Sequence, residues 1–533
     1  MLKKLKKLKK LKKLKSNKFK GLSLVLSLSL LVSSSSFIPI QSIYANESII
    51  NISSWAIPTI NEAEKYNIFS TDWYFDDFTG PISQDKLDYL LNGVSDKLAS
   101  LNLTQKNNFV TYPLVSSTSS LTRGNIAIQL FNLIDQYEFG QSFSEPIDYF
   151  TQKEIIKGDG VNLNLEQICT TEQAIVIATK FIEAIYSDLD AGSKGFVWQV
   201  QSNQNTVYLL GSIHLGNTNI YPINQKLKDA FDSSNSLHVE VNVFGDQDNI
   251  YDFIKIAMYQ DGSTIKDYIS NDLYQKLELV CDLLDISLDY LSLFKPWSVA
   301  NDLNNYLTTQ SQSQDEVQMA TEHGVDMYFL TRSIASDKPI NELESYQMQA
   351  MIFNSMSYEL QLENLDYAVN QILLYNLFNQ NLVSENSEII VEALFSNEIA
   401  FENIALLDNF DYVDDLVQDE AGEVVELEAE STQSQTIENW LNYFKLGDVD
   451  SITREFNELL VLDSGNGDDG EYSSIILDST RNHLMANKIV ELLEAEGENT
   501  HFVVVGAAHF IADDSILTIL TQAGYEVQSF YDN

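Results

Sequence analysis

Thr206-Val-Tyr-Leu-Leu-Gly211-Ser-Ile-His214 and Thr500-His-Phe-Val-Val-Val-Gly506-Ala-Ala-His509 carry one pattern, an apolar run leading into Gly-x-x-His. A run of Val, Tyr and Leu without polar alternation predicts a strand in a sheet covered on both faces. Each copy continues through a polar turn into an amphipathic helix, 223–234 and 515–523, and then into a further strand, 237–241 and 526–530. The fold class expected is therefore α/β. A C-terminal domain would hold a mixed, largely parallel sheet with two Gly-x-x-His units and covering helices, behind an N-terminal, mostly helical repeat region. Ligands of such sheets sit outside the carboxyl ends of the strands, so both imidazoles are expected on one rim. Gly211 and Gly506 shape that rim by allowing a tight turn or close backbone approach. One Gly-x-x-His is a weak signal, but histidine is scarce here, six in 533 residues, and two of the six stand at equivalent places. That assigns His214 and His509 to a shared site.

Further stretches extend the pattern: Tyr208-Leu-Leu-Gly-Ser-Ile-His214, Tyr221-Pro222, His238-Val-Glu240-Val-Asn242, Lys295-Pro296-Trp297, His323-Gly-Val-Asp326, Pro339-Ile-Asn-Glu-Leu-Glu344, Arg481-Asn482 with Met485, and Gly506-Ala-Ala-His509 with Gly524-Tyr525. In composition and order they resemble the TraB/GumN family, which includes the Tiki metalloproteases, over roughly 195–533. The Tiki branch implies a peptidase dependent on a divalent metal (Mn, Co or Zn), with a catalytic fold akin to erythromycin esterase and the haem-binding ChaN proteins.

The residues can be read for chemistry beside that resemblance. A hydrolytic metal centre needs imidazole or carboxylate ligands, an open position for water, a base, and a donor for the developing oxyanion. His214, His509 and Glu240 are the candidate ligands. Glu240, near the end of the strand after the first helix, reaches the rim of His214; otherwise it is a solvated strand-end acid. Glu344 is a second candidate, as ligand or general base, against an ordinary surface acid. Arg481 and Asn482 open a helix whose apolar positions Leu484, Ile489, Leu492 and Leu493 face a core. A cation in a first helical turn gains nothing from the helix dipole, so Arg481 asks for an anion, either a transition-state oxyanion, with Asn482 assisting, or a structural salt-bridge partner. His323, His483 and His501 read as solvated.

Length permits two or three domains with ample core. The first 20 residues hold eleven lysines, 21–32 are apolar with serines, and Ala45 offers a cleavage position, so 1–45 reads as a secretory signal peptide, the alternative being an uncleaved N-terminal membrane anchor, for which the apolar run is short. Removal of 1–45 takes 11 of the 32 Lys and Arg and none of the 77 acids, moving the formal net charge from −45 to −56. So acidic a chain excludes nucleic acid and anionic lipid as partners. No later stretch is apolar enough for a stable transmembrane span. Acid is concentrated near 408–435, which reads as a flexible insertion. Cys169 and Cys281 fall in different domains and read as separate thiols.

In 46–190, Pro81-Ile-Ser, Leu121-Thr-Arg and Cys169-Thr-Thr each place a hydroxyl ahead of an apolar-periodic helix, the position of an N-cap. The layout resembles degenerate S-layer homology repeats, with Asn67 where glycine is usual, and the resemblance implies attachment to cell-wall polysaccharide. The function expected is that of an exported or cell-wall-associated metal-dependent peptidase acting on a peptide or protein. The alternatives are a non-catalytic haem-, metal- or peptide-binding protein on the same fold, or a wall-attached adhesion protein.

Overall fold

The computed structural model describes residues 51–115, 120–140, 145–159, 162–245, 247–310, 321–379, 433–464 and 479–532. The expected signal peptide, and the acidic insertion up to 432, lie outside them. The chain forms two compact units, one of Gln41–Lys194 with Thr218–Ser233, the other of Gly195–Asn217 with Ser234–Asn533.

The first unit is helical: α1 (Ile57–Lys65), α2 (Gln84–Ala99), α3 (Arg123–Asp135), α4 (Pro146–Gln152), α5 (Thr171–Asp188) and α6 (Gln225–Ser233). The predicted hydroxyl caps form. Ser83, Thr122 and Thr170 accept from the backbone of Lys86, Asn125 and Gln173, and Thr170 completes a capping box with Gln173. Each satisfies an amide that the first turn would leave unpaired. The cap segments also join one another, through bridges Pro81 to Thr170 and Thr122 to Ile168. Asn67 takes the left-handed conformation, φ 54°, that a glycine would supply there.

The second unit is built on a six-stranded sheet of order β4-β3-β5-β2-β1-β6: β1 (Phe196–Ser202), β2 (Asn205–Ser212), β3 (Ser236–Val239), β4 (Ile340–Glu342), β5 (Thr500–Gly506) and β6 (Val527–Ser529). The pairs β2/β5, β3/β5 and β3/β4 are parallel, and only β1 runs the other way, antiparallel to β2 and β6. Between β3 and β4 come α7 (Gln247–Ala257), α8 (Asn271–Leu284), α9 (Leu288–Leu291), α10 (Pro296–Gln310) and α11 (Val325–Ala335). After β4 come α12 (Tyr346–Asn354), α13 (Tyr358–Asn379), α14 (Gln433–Leu446), α15 (Val449–Ser464) and α16 (Ser479–Glu494), and between β5 and β6 lie α17 (Ala508–Ile511) and α18 (Ile516–Gln522). Among the described residues no helix is long and apolar enough to cross a membrane.

Both sheet faces are covered, as the unbroken apolar strands require. On one, Val207, Leu209, Val503 and Val505 pack against Met485, Ala486, Ile489 and Leu493 of α16 and Ile516 and Leu520 of α18. On the other, Phe502 meets Phe329 of α11 with ring centroids 4.9 Å apart. Burying each such side chain contributes roughly 1.5–3 kcal/mol. Three expectations about side-chain exposure are corrected. Leu484 is 41% exposed, because the helix phase gives the inward position to Met485. His501 is half-buried against His238, whose ring centroid is 5.2 Å away, because its strand is interior to the sheet. His323 is likewise partly buried, whereas His483 is solvated. Cys169 and Cys281 are buried free thiols, one in each unit.

Candidate functional site

The parallel register of β2 and β5 sets Ser212 beside Gly506, so the two Gly-x-x-His turns leave the sheet side by side. Gly211 permits this: a Cβ there would sit 3.2 Å from the Ala507 Cα. β3 flanks β5 on its other side, and the chain beyond its end carries Glu240 to the same rim, where Glu240 Oε1 accepts from the Gly506 N–H at 2.5 Å. The Glu344 amide donates to the Glu240 carbonyl at 2.8 Å and so follows β4 to this rim. Arg481 and Asn482 arrive from the first turn of α16. All eight residues singled out in the sequence therefore belong to one region, and its functional side chains, His214, Glu240, Glu344, Arg481, Asn482 and His509, are at most 4% exposed.

The two histidines are held alike through Nδ1. His214 Nδ1 lies 3.0 Å from Asp326 Oδ1, and a carboxylate there fixes the proton on Nδ1 and leaves the lone pair on Nε2. His509 Nδ1 lies 2.6 Å from Asn482 Oδ1, while the Asn482 amide nitrogen donates to the Asp514 carbonyl at 2.7 Å. With its nitrogen so engaged, Asn482 can only accept from His509, and Nε2 again carries the lone pair. That atom stands 4.0 Å from Glu240 Oε1, too far for a hydrogen bond. His214 Nε2 is buried with no hydrogen-bond partner among the described residues.

Asp326 comes from α11, more than a hundred residues after His214, and its approach depends on Gly324. A Cβ at Gly324 would fall 2.4 Å from the His214 carbonyl oxygen, and the Val325 amide donates to the Ile213 carbonyl at 3.1 Å. Sequence reasoning quoted Asp326 as part of a stretch without giving it a role. It also missed Gln349 of α12, whose amide nitrogen lies 3.4 Å from Glu240 Oε2 and 3.3 Å from Glu344 Oε2.

The anion that Arg481 asks for is a pair of carboxylates. Its Nε and Nη2 each donate to Glu344 at 2.7 Å, a bidentate clasp, and Nη2 is 3.4 Å from Glu240 Oε2. Such a clasp is strong and directional. The bonds that Arg481 and Asn482 make here hold Glu344 and His509 in place.

These surroundings tune protons. Burial pushes the Glu240 carboxyl up to about 7, with the Glu344 charge adding to the rise and His214, Arg481 and the Gly506 N–H opposing it. Burial alone would hold His214 down, but the charge and hydrogen bond of Asp326, with the Glu240 charge, outweigh it and leave the imidazole above its ordinary value despite Arg481.

The donor set suits a divalent ion in type. Imidazoles backed through Nδ1 by a carboxylate or amide are oriented as metal ligands are, and the partnerless His214 Nε2 is a buried atom in want of one. Among the described residues no group of three or more His, Cys, Asp or Glu is already gathered at coordinating spacing, so the two imidazoles are the firm donors.

Residues 196–385 and 399–529, more than half the chain, match the model of the TraB/PrgY/gumN family. Similar curated proteins are Metalloprotease TIKI2 of Xenopus tropicalis, 22% identical over 62% of this chain and 59% of that protein, and its namesake in Danio rerio, 23% identical over 62% and 60%. Metalloprotease TIKI1 of Danio rerio is 22% identical over 64% of this chain and 63% of its own. The chain thus spans about three fifths of the length of the curated relatives it matches. No solved structure matches. With the paired Gly-x-x-His turns on one rim and this match across the sheet and its helices, the chain belongs to the TraB/PrgY/gumN family.

Proposed function

We propose that this centre hydrolyses peptide bonds with the aid of one divalent metal ion. The observation that carries the reading is the pair of imidazoles, delivered by neighbouring parallel strands and each backed at Nδ1, on a buried rim with Glu240. The name metalloprotease on similar proteins supports it. His214 and His509 would hold the ion through Nε2, with Glu240 beside them. The ion, when bound, supplies Lewis acidity toward water and a substrate carbonyl. Glu240, poised near neutral, takes the proton of the attacking water and delivers it to the departing amine, the work of a general base and acid. Arg481 keeps Glu344 in place, and Asp326 and Asn482 hold the two imidazoles in the tautomer that puts the lone pair on Nε2.

An exported setting is the second part of this proposal, supported by the lysine-rich and apolar sequence of 1–45. It is tested by determining the N-terminal residue of the chain recovered from the medium of producing cells. The activity is tested by stripping the protein of metal, resupplying Mn²⁺, Co²⁺ or Zn²⁺, and following cleavage of a diverse peptide library beside His214→Ala and His509→Ala. The proposal expects cleavage restored by metal and abolished in both variants. Folded protein that cleaves nothing with any ion overturns it and favours a binding role on the same fold.

A further inference from the structure

The buried face of α12 presents Tyr346, Gln349, Ala350 and Phe353, at i, i+3, i+4 and i+7. Three of the four are what a packing stripe requires. Tyr346 meets Phe253 of α7, centroids 6.3 Å apart, and Phe353 stacks on Trp297 of α10 at 5.4 Å and 4°. Gln349 breaks the stripe with a carboxamide that is fully buried. Its nitrogen makes only long contacts, 3.3 and 3.4 Å, to the two site carboxylates, and its oxygen Oε1 has no hydrogen-bond partner among the described residues. A buried amide with an unmet acceptor costs stability where an apolar residue would not. A polar residue placed against the local rule is a mark of function.

The site gives that residue a purpose. His214, Glu240, Glu344 and His509 are all at most 4% exposed, so no polypeptide reaches them in this conformation. Ser212 Oγ and Asp326 Oδ2 are also buried and without partners among the described residues, leaving around His214 an unusual amount of unmet polar capacity. A carboxamide inserted between Glu240 and Glu344 presents there the N–H and C=O of an amide, the groups that a peptide bond would bring.

We propose that Gln349 is a plug, an amide that α12 seats in the site in the place of a substrate amide, and that a polypeptide enters when α12 withdraws. The proposal rests on the peptidase reading for its substrate, while the plug itself is tested without turnover. The long, weak contacts of Gln349 make withdrawal accessible. The apolar anchors at Tyr346 and Phe353 keep the helix docked on α7 and α10 rather than on the carboxylates, so α12 parts from the sheet rather than from its helical neighbours.

The test uses the full chain with Cys169→Ala and Ser212→Cys, which retains Cys281. Labelling of both thiols by a small disulfide reagent is followed by mass spectrometry of the peptides, with the thermal midpoint measured alongside. Cys281, 1% exposed on α8 of the same unit, reports general opening, and position 212 reports the site. With Gln349→Ala, labelling at 212 rises about threefold to tenfold relative to Cys281, the order set by losing a weak hydrogen bond. Gln349→Leu, which restores the apolar stripe should the alanine variant fold poorly, gives a rise in the same direction. Unchanged labelling at 212 in both variants, or a rise matched by Cys281, overturns the plug. If labelling rises selectively and no peptide is cleaved by any variant, the plug stands and the peptidase reading falls.

Discussion

The two Gly-x-x-His turns occupy equivalent places on neighbouring strands, yet one imidazole is backed by a carboxylate and the other by an amide. Asp326 gives His214 a charged partner and helps lift its basicity. Asn482 gives His509 only a neutral acceptor, though at a shorter distance, 2.6 Å. The sheet thus repeats a geometry and the helices make it asymmetric: one nitrogen donor is made electron-rich, and the other is held in orientation. Between them Glu240 is left near neutral titration by burial.

The largest expected effect removes what both halves share. Glu240→Gln is predicted to lower peptide cleavage by roughly 10²–10⁴-fold, the usual worth of a positioned acid–base group. The acid limb of the rate profile near pH 7, where the native carboxylate gains its proton, should vanish with it. Persistence of that limb in the variant would assign it to another group.

The asymmetry is next. Asp326→Asn is predicted to weaken metal binding by roughly 10–100-fold, as loss of a charged partner to a ligating imidazole does. Asn482→Asp, which keeps an acceptor on His509 Nδ1, should cost less. Equal losses measured by competitive chelation would dissolve the distinction between the two turns.

Gly324→Ala tests how the carboxylate is delivered. Its methyl group would fall 2.4 Å from the His214 carbonyl oxygen, so the loop must shift, at a cost of about 1–3 kcal/mol by analogy with overpacked cores. Denaturant titration should show the loss, together with a weaker metal site. A variant as stable as the parent would mean that the two loops are not in close contact.

The smallest effect lies at the opposite end of the strands. His238 Nε2 and His501 Nδ1 both meet the Ser236 hydroxyl at 2.9 Å. Burial, with the charges of His501 and Lys488 adding, pushes His238 down to about 4. Because the folded value lies below that of the unfolded chain, stability is fully present above pH 6.5 and is lost as pH falls from there through 4. At pH 5.5 the loss from His238 is about 1.4 kcal/mol. Comparing His238→Gln with the parent at pH 7.5 and 5.5 checks it, and an identical pH slope in the two proteins would refute the cause.

The sequence made the rim legible because its determinants are local. An apolar strand ending in Gly-x-x-His declares both the sheet and the side chain at its edge, and Glu240 and Glu344 follow strands of the same sheet. The backing groups were not legible in that way. Asp326 reaches His214 through a close approach of two loops distant in sequence, and no spacing encodes it. Gln349 does leave a signal, a polar residue in the stripe of Tyr346, Ala350 and Phe353. Leu484 and His501 were misread for phase and position: a helix turned by one residue, and a strand interior to the sheet.

Metal binding tests the central claim most directly. Titration of the metal-free chain with Mn²⁺, Co²⁺ or Zn²⁺ should give one ion per chain, and both His214→Ala and His509→Ala should lose it while remaining folded. Retention of the ion in either variant, or two independent ions of which each variant loses one, would contradict a single centre shared by the two turns.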